Sequence, residues 1–371
     1  MNRITIDLAA LEQNVHTTDR WMKQIGASWT FVSKALCGHA DTLRGMRDFG
    51  IESVADSRLE NLRIVAETVP EWERWYLRPP QISSITEVVE RCGVSMNTER
   101  EIIRALEKEA GRQGRKHRVV VMVELGDLRE GILPGGLVEF YEEILRLEHV
   151  EVIGIGANLG CISGTVPNVD QFTQLALYRE LLELKFGKKL PVISAGTTVV
   201  LPLMLRREIP RAINHFRIGE ALFLGTNLID GGTLPGLRDD VIELEVEIVE
   251  IKEKQLVALG ETSGETPFDA LPPAEVSPGQ RGFRAVLALG QLDTEVGGLA
   301  PIDPSVQLAG ASSDLMVVNL TEGRGDRRVG DCIRFRVSYG AFVRLMANSY
   351  IEKTVKPAEI DVGHLPVGAA S

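Results

Sequence analysis

Through about residue 225, short apolar runs alternate with stretches whose apolar residues recur every three or four positions. The runs are "WTFVSKA", "IESVAD", "RWYLR", "GVSMN", "RVVVMVEL", "EVIGIGANL", "LPVISAG" and "HFRIGEALFLG". Apolar on successive residues and this short, they read as strands buried on both faces. Between them "TEREIIRALEKEA", "LVEFYEEILRLE" and "VDQFTQLALYRELLELKF" carry the spacing of amphipathic helices. Eight strand and helix alternations predict a (β/α)8 barrel. An open, doubly wound sheet would alternate too, but no GxGxxG follows the first strand.

Beyond about Asp230 the period falls to two, in "VIELEVEIVEIKEKQ", "FRAVLALGQLD", "LMVVNL" and "CIRFRVSYG". Gly, Pro and Asp turns separate these runs, which read as strands of a β domain. The expected division is a barrel over residues 1–230 and a C-terminal β domain over 231–371, the opening strand being a candidate to join the latter. Within the second part, "GETSGETPFDALPPAEVSPGQRG" reads as a long Gly/Pro-rich loop.

Composition narrows the function. With 371 residues, 44% of them hydrophobic and 25% charged, the chain is ordinary globular material. Its net charge of −11 disfavours nucleic acid and anionic membrane surfaces, which require a basic field. No apolar stretch reaches the roughly 18 to 20 residues of a membrane span, and the opening "MNRITIDLAALEQN" lacks the apolar core of a signal peptide. A small-molecule partner and a cytoplasmic location are expected. Cys37, Cys92, Cys161 and Cys332 have no ligand-like spacing, so they are read as free thiols and no metal site is indicated.

Barrels keep their chemistry at the carboxyl ends of the strands. The first run closes on Lys34 and a small-residue turn, "LCGHA". Desolvating an ammonium is costly, so a lysine at this position is either reactive or snorkels to solvent. The fifth run ends at Glu124, Gly126, Asp127 and Arg129, and the sixth at Asn158, Gly160 and Cys161. The last two end in "SAGTT" and "RIGEA", turns rich in small residues and free backbone N–H groups, which suit a phosphate. A lysine opposite a phosphate cradle is the arrangement a pyridoxal phosphate enzyme needs.

Here the chain resembles a known class. The segments "ITIDLAALEQNV", "VSKALCGHA", "VADSRLENLRIV", "VELGDLREGI", "GIGANLG", "HFRIGEALFLG", "LALGQLD" and "GASSDLMVVNL" occur in order and at intervals similar to those of the alanine racemase-like, fold type III pyridoxal phosphate enzymes, in particular the ornithine racemase group. The resemblance covers essentially the whole chain. It implies Lys34 as the covalent anchor of the cofactor and the base on one face, and Arg217 against the pyridine nitrogen. It places Thr197, Gly219, Glu220 (through its backbone) and Tyr339 at the phosphate, Asn158 near the ring and Arg129 near the substrate carboxylate. An arginine stays charged, so it would leave the pyridine nitrogen unprotonated and restrain side reactions.

Three departures from the alanine racemase pattern matter. The tyrosine that serves as second base is replaced by Gln291, which cannot transfer a proton near neutral pH. The lysine that many relatives carbamylate falls at Met122, which removes that ion-pair network. The usual methionine before an aspartate is Ser313, and "SSD" resembles the Cys-Asp pair of ornithine decarboxylases of the same fold type. Asp314 is then expected to receive a distal ammonium. Ser313, Cys161 and Tyr339 are the candidates for proton transfer on the second face.

The resemblance also implies a head-to-tail homodimer, in which Gln291, Ser313 and Asp314 complete the partner's site. The expected activity is racemisation of ornithine or another basic or polar amino acid. The alternatives are a fold type III decarboxylase and a cofactor-binding regulatory protein with little turnover.

Overall fold

The computed structural model describes residues 2–160, 164–257 and 279–357. Cys161 and most of the Gly/Pro-rich loop expected at residues 260–282 lie outside the described residues.

The strands are β1 (Arg3–Asp7), β2 (Ser28–Val32), β3 (Ser53–Asp56), β4 (Glu73–Tyr76), β5 (Val94–Asn97), β6 (His117–Met122), β7 (Val150–Gly156), β8 (Val192–Gly196), β9 (His215–Ile218), β10 (Ile242–Gln255), β11 (Arg281–Leu287), β12 (Leu299–Pro301), β13 (Val306–Ala311), β14 (Met316–Leu320), β15 (Cys332–Val337) and β16 (Glu352–Lys356). β2 to β9 pair in parallel and in chain order, and β2 closes on β9 to complete the barrel. The expected barrel is therefore present, with each of its strands overlapping one of the eight apolar runs to within one residue at its start. Two cores explain why those runs do not alternate. Val32, Ala55, Trp75, Val94, Met96, Val120, Met122 and Ile153 fill the barrel, while the opposite strand faces pack under the surrounding helices.

Most of the second sheet is antiparallel, in the order β12-β15-β10-β11-β14-β13. β1 pairs antiparallel with β10 and parallel with β16, so the opening strand lies in the C-terminal sheet. Along β10 buried positions alternate with more exposed ones from Ile242 to Ile248, as a sheet covered on one face requires.

The "CIRFRVSYG" run differs from its expected form. The strand stops at Val337, and a helix, Tyr339–Ala347, begins behind Ser338, whose hydroxyl accepts from the Ala341 amide at 3.3 Å. Ala341, Phe342, Leu345 and Met346 form its buried face, and the helix packs on the short turn Lys34–Leu36. It is this helix that carries Tyr339 into the barrel mouth. Among the described residues no helix is long and apolar enough to cross a membrane.

Candidate active site

At the carboxyl ends of the barrel strands lies a cavity of about 420 Å³. Lys34, Arg129, Asn158, Thr197, Arg217, Gly219, Glu220 and Tyr339 all line it. A larger cavity, about 600 Å³, sits at the opposite end beneath β2 and β9, between Trp21 and the Met204–Ile213 segment, and holds none of them.

Lys34 opens a single 3-10 turn directly after β2. The turn is anchored from below, because the hydroxyl of Ser33 donates to Asp56 at 2.8 Å. Asp56 is fully buried at the end of β3 and also accepts from the Arg58 amide and from Asn61. Burial raises the pKa of its carboxyl, and the hydrogen bonds oppose that shift. The Lys34 ammonium stands 5.8 Å from the centroid of the Tyr339 ring, within cation–π range. Lys34 is exposed, not desolvated. Burial likewise raises the pKa of the neighbouring Glu220 carboxyl, against a Thr226 hydrogen bond and the pull of Lys34.

Arg217 projects from β9 and is 5% exposed. Its guanidinium donates to the Ser194 carbonyl at 2.8 Å, the Ser194 hydroxyl at 2.6 Å, the Ala157 carbonyl at 3.1 Å and Asn158 Oδ1 at 2.7 Å. These acceptors sit at the ends of β7 and β8, so barrel closure itself assembles them. Since Ser194 Oγ accepts from Arg217, its proton is directed to His215 Nδ1 at 2.8 Å, and His215 Nε2 then donates to Thr30 at 3.0 Å. His215 stacks on Trp75 at 4.6 Å. Burial, helped by Arg217, lowers its pKa to about 3, so the ring is neutral beneath the arginine.

At the far end of the cavity, the hydroxyl of Thr197 is buried and has no hydrogen-bond partner. The turns after β8 and β9 are tied together by Thr198 Oγ1, which accepts from the Ala221 amide at 3.3 Å. Gly219 lies so close to β2 that a Cβ there would come within 3.0 Å of the Val32 carbonyl oxygen. An unsatisfied hydroxyl between two tight turns suits an anionic group.

Arg129 lies on a loop that folds back after β6. Glu124 accepts from the amides of Gly126, Leu128 and Arg129, and Gly131 passes so near that a Cβ would lie 2.2 Å from the Glu124 nitrogen. Both Nε and Nη2 of Arg129 donate to Glu130. Met122, at the position of the carbamylated lysine, packs inside the barrel. An ion pair nonetheless stands at the mouth, supplied by Glu130.

Gln291, Ser313 and Asp314 do not line this cavity. They meet in turns beside the second sheet, after β11 and between β13 and β14, where the Gln291 amide donates to Ser312 O at 2.9 Å and the Ser313 hydroxyl donates to Asp314 at 2.6 Å. Gly290 allows the approach, since a Cβ there would lie 2.2 Å from Ser313 O. Sequence reasoning missed Arg78, Ser57, Leu77, Met96 and Leu228 on the cavity wall, and Glu130 beside it. Arg78 had a readable signal, as it follows β4 by two residues at a strand's carboxyl end.

A closed parallel barrel with this mouth, joined to a mainly antiparallel sheet that returns a helix to it, defines the alanine racemase fold. The signature of the alanine racemase N-terminal domain matches residues 6–227. Over 354 residues the chain is 35% identical to ornithine racemase of Acetoanaerobium sticklandii, covering 95% of this chain and 98% of that protein. It is 30% identical over 358 residues to lysine racemase of Thermotoga maritima, covering 96% and 99%. Biosynthetic alanine racemase from Pseudomonas aeruginosa shares the fold with a TM-score of 0.72 at 16% identity, over 96% of this chain and 99% of that one. Alanine racemase from Bartonella henselae with covalently bound pyridoxal phosphate does so with a TM-score of 0.69 at 12% identity, over 96% and 99%. The chain belongs to the alanine racemase family and is an amino-acid racemase.

Proposed function

We propose that the chain binds pyridoxal 5'-phosphate in the mouth cavity and interconverts the enantiomers of a basic amino acid, ornithine first. The observation that carries this reading is the convergence in one cavity of Lys34, the buried Arg217 and the unpartnered Thr197 hydroxyl. The set of functions suits the cofactor: an amine, a buried cation held at the ends of the barrel strands and an unsatisfied hydroxyl line the same cavity. Relatives named ornithine racemase and lysine racemase support a basic substrate.

When bound, the cofactor acts as an electron sink that acidifies the substrate Cα–H bond. Lys34 anchors the cofactor and moves the proton at one face of Cα through Nζ. Arg217 keeps its own charge and holds the cofactor nitrogen without donating a proton to it. Thr197, with the turns at Gly219 and Glu220, holds the phosphate, and Asn158 lies beside the ring. Arg129 receives the α-carboxylate.

The second face is completed by another copy of the chain in a head-to-tail homodimer. Two features support this: Gln291, Ser313 and Asp314 stand off the chain's own cavity, and Leu292 and Leu315 beside them are 71% and 42% exposed. Asp314 of that copy takes the distal ammonium, and Ser313, Cys161 or Tyr339 transfers the second proton. Borohydride treatment of the protein incubated with pyridoxal phosphate, followed by peptide mapping, tests the assignment. Covalent label at Lys34 is expected, and label confined to other lysines contradicts it.

A further inference from the structure

The mouth contains one acidic side chain whose contacts run in two directions. Glu130 Oε1 accepts from Asn158 Nδ2 at 2.5 Å, and the same carboxylate accepts from Nε and Nη2 of Arg129. Asn158 in turn accepts from Arg217 through Oδ1 at 2.7 Å. A continuous chain therefore joins Arg129, Glu130, Asn158 and Arg217, from the rim to the buried floor. Its side chain is 15% exposed against 32% for Arg129, so the carboxylate is the inner member of the pair.

We propose that Glu130 is the positioning residue of this site: it fixes the plane of the Arg129 guanidinium and the orientation of the Asn158 amide that faces Arg217. The inference rests on the reading of the cavity as a cofactor and substrate site. A guanidinium only donates and an ionised carboxylate only accepts, so an amide between them has one satisfactory orientation. Turned over, Asn158 sets its NH2 against Arg217 and its oxygen against Glu130. Removing the carboxylate removes half of that instruction. The backbone leaves Glu130 little freedom, because Glu124 holds the amides of the loop and Gly131 passes against the Glu124 backbone.

Glutamine is the informative substitution. It keeps the shape but has one oxygen for three donated hydrogen bonds: with that oxygen at the Oε1 place an NH2 group faces Arg129 Nε, and turned over the NH2 faces both Arg129 Nη2 and Asn158. In the holoprotein, Glu130→Gln is expected to shift the absorbance maximum of bound pyridoxal phosphate and weaken its affinity. It is also expected to raise the KM for ornithine by about tenfold, with kcat changed much less. In an Asn158→Ala background the spectral shift disappears, and in an Arg129→Ala background the KM effect disappears. Glu130→Asp, which retains charge but withdraws by one methylene, shows smaller shifts of the same kind and serves should Glu130→Gln not fold. Unchanged spectrum, affinity and KM in both variants overturn the proposal, as do effects that persist fully in the two backgrounds. Should the unsubstituted holoprotein exchange no Cα proton, the racemase reading falls while spectrum and affinity still report on Glu130.

Discussion

The Nζ of Lys34, directly after the first barrel strand, stands 5.8 Å from the ring centroid of Tyr339, which begins a helix near the other end of the chain. The two parts of the fold thus meet at Lys34. Because Lys34 is exposed and its turn is anchored by Ser33 and Asp56, Lys34→Ala should leave the melting temperature of the apoprotein unchanged. Activity should fall by about 10²-fold to 10⁴-fold or more with loss of the proton-transferring group. Chiral chromatography and calorimetry on one preparation check both, and substantial residual turnover contradicts the role given to Lys34.

The buried histidines predict an acid limb in stability. Burial lowers the pKa of His215 to about 3, with Arg217 contributing, and that of His117 to about 4. Each takes up its proton more readily when unfolded, where its pKa is near 6.5, so the unfolded state gains protons first on acidification. Stability is complete above about pH 6.5 and is lost as pH falls toward these values, at up to about 1.4 kcal/mol per unit for each ring. Asp56, whose pKa burial raises, acts in the opposite sense and moderates the slope. Denaturant titrations from pH 7 to 4 measure it. A flat profile in which His117→Gln also changes nothing contradicts neutral burial.

Gly290 sets the geometry of the residues assigned to substrate recognition. A methyl group there would lie 2.2 Å from the Ser313 carbonyl oxygen, a backbone clash that no rotamer relieves. Gly290→Ala should cost about 1–3 kcal/mol of stability and raise the KM for ornithine by separating Gln291 from Ser313 and Asp314. Unaltered KM with unaltered stability contradicts the tight turn.

The proposed sharing of sites between two copies predicts complementation. Lys34→Ala and Asp314→Ala variants, refolded together, should form mixed dimers with one doubly substituted site and one intact site. With random pairing, about a quarter of the unsubstituted activity returns, although each variant alone is impaired. Absence of any recovery, with mixed dimers shown to form, places Asp314 in its own chain's site.

Much of this architecture is legible in sequence because barrel strands buried on both faces leave apolar runs, and β2 to β9 each overlap one of them. What escapes is non-local. The opening strand, a candidate for the C-terminal sheet, lies there, but its partners β10 and β16 are distant segments that no local period encodes. The helix at Tyr339–Ala347 carried its own signal, a serine cap and a buried face at Ala341, Phe342, Leu345 and Met346, which the strand-like "RFRVSYG" obscured. In the site, Lys34 and Arg217 stand out because a cation at a barrel strand's end is chemically conspicuous. Glu130 does not, since beside Arg129 it reads as ordinary surface charge until the fold-back of its loop sets it against Asn158.

The most direct test of the central claim is to incubate the purified protein with pyridoxal phosphate and L-ornithine in heavy water, following the Cα proton by NMR and the enantiomers by chiral chromatography. Loss of the Cα signal together with accumulation of D-ornithine is predicted. Retention of the Cα proton across a panel of amino acids, or release of the carboxylate in place of inversion, contradicts the account.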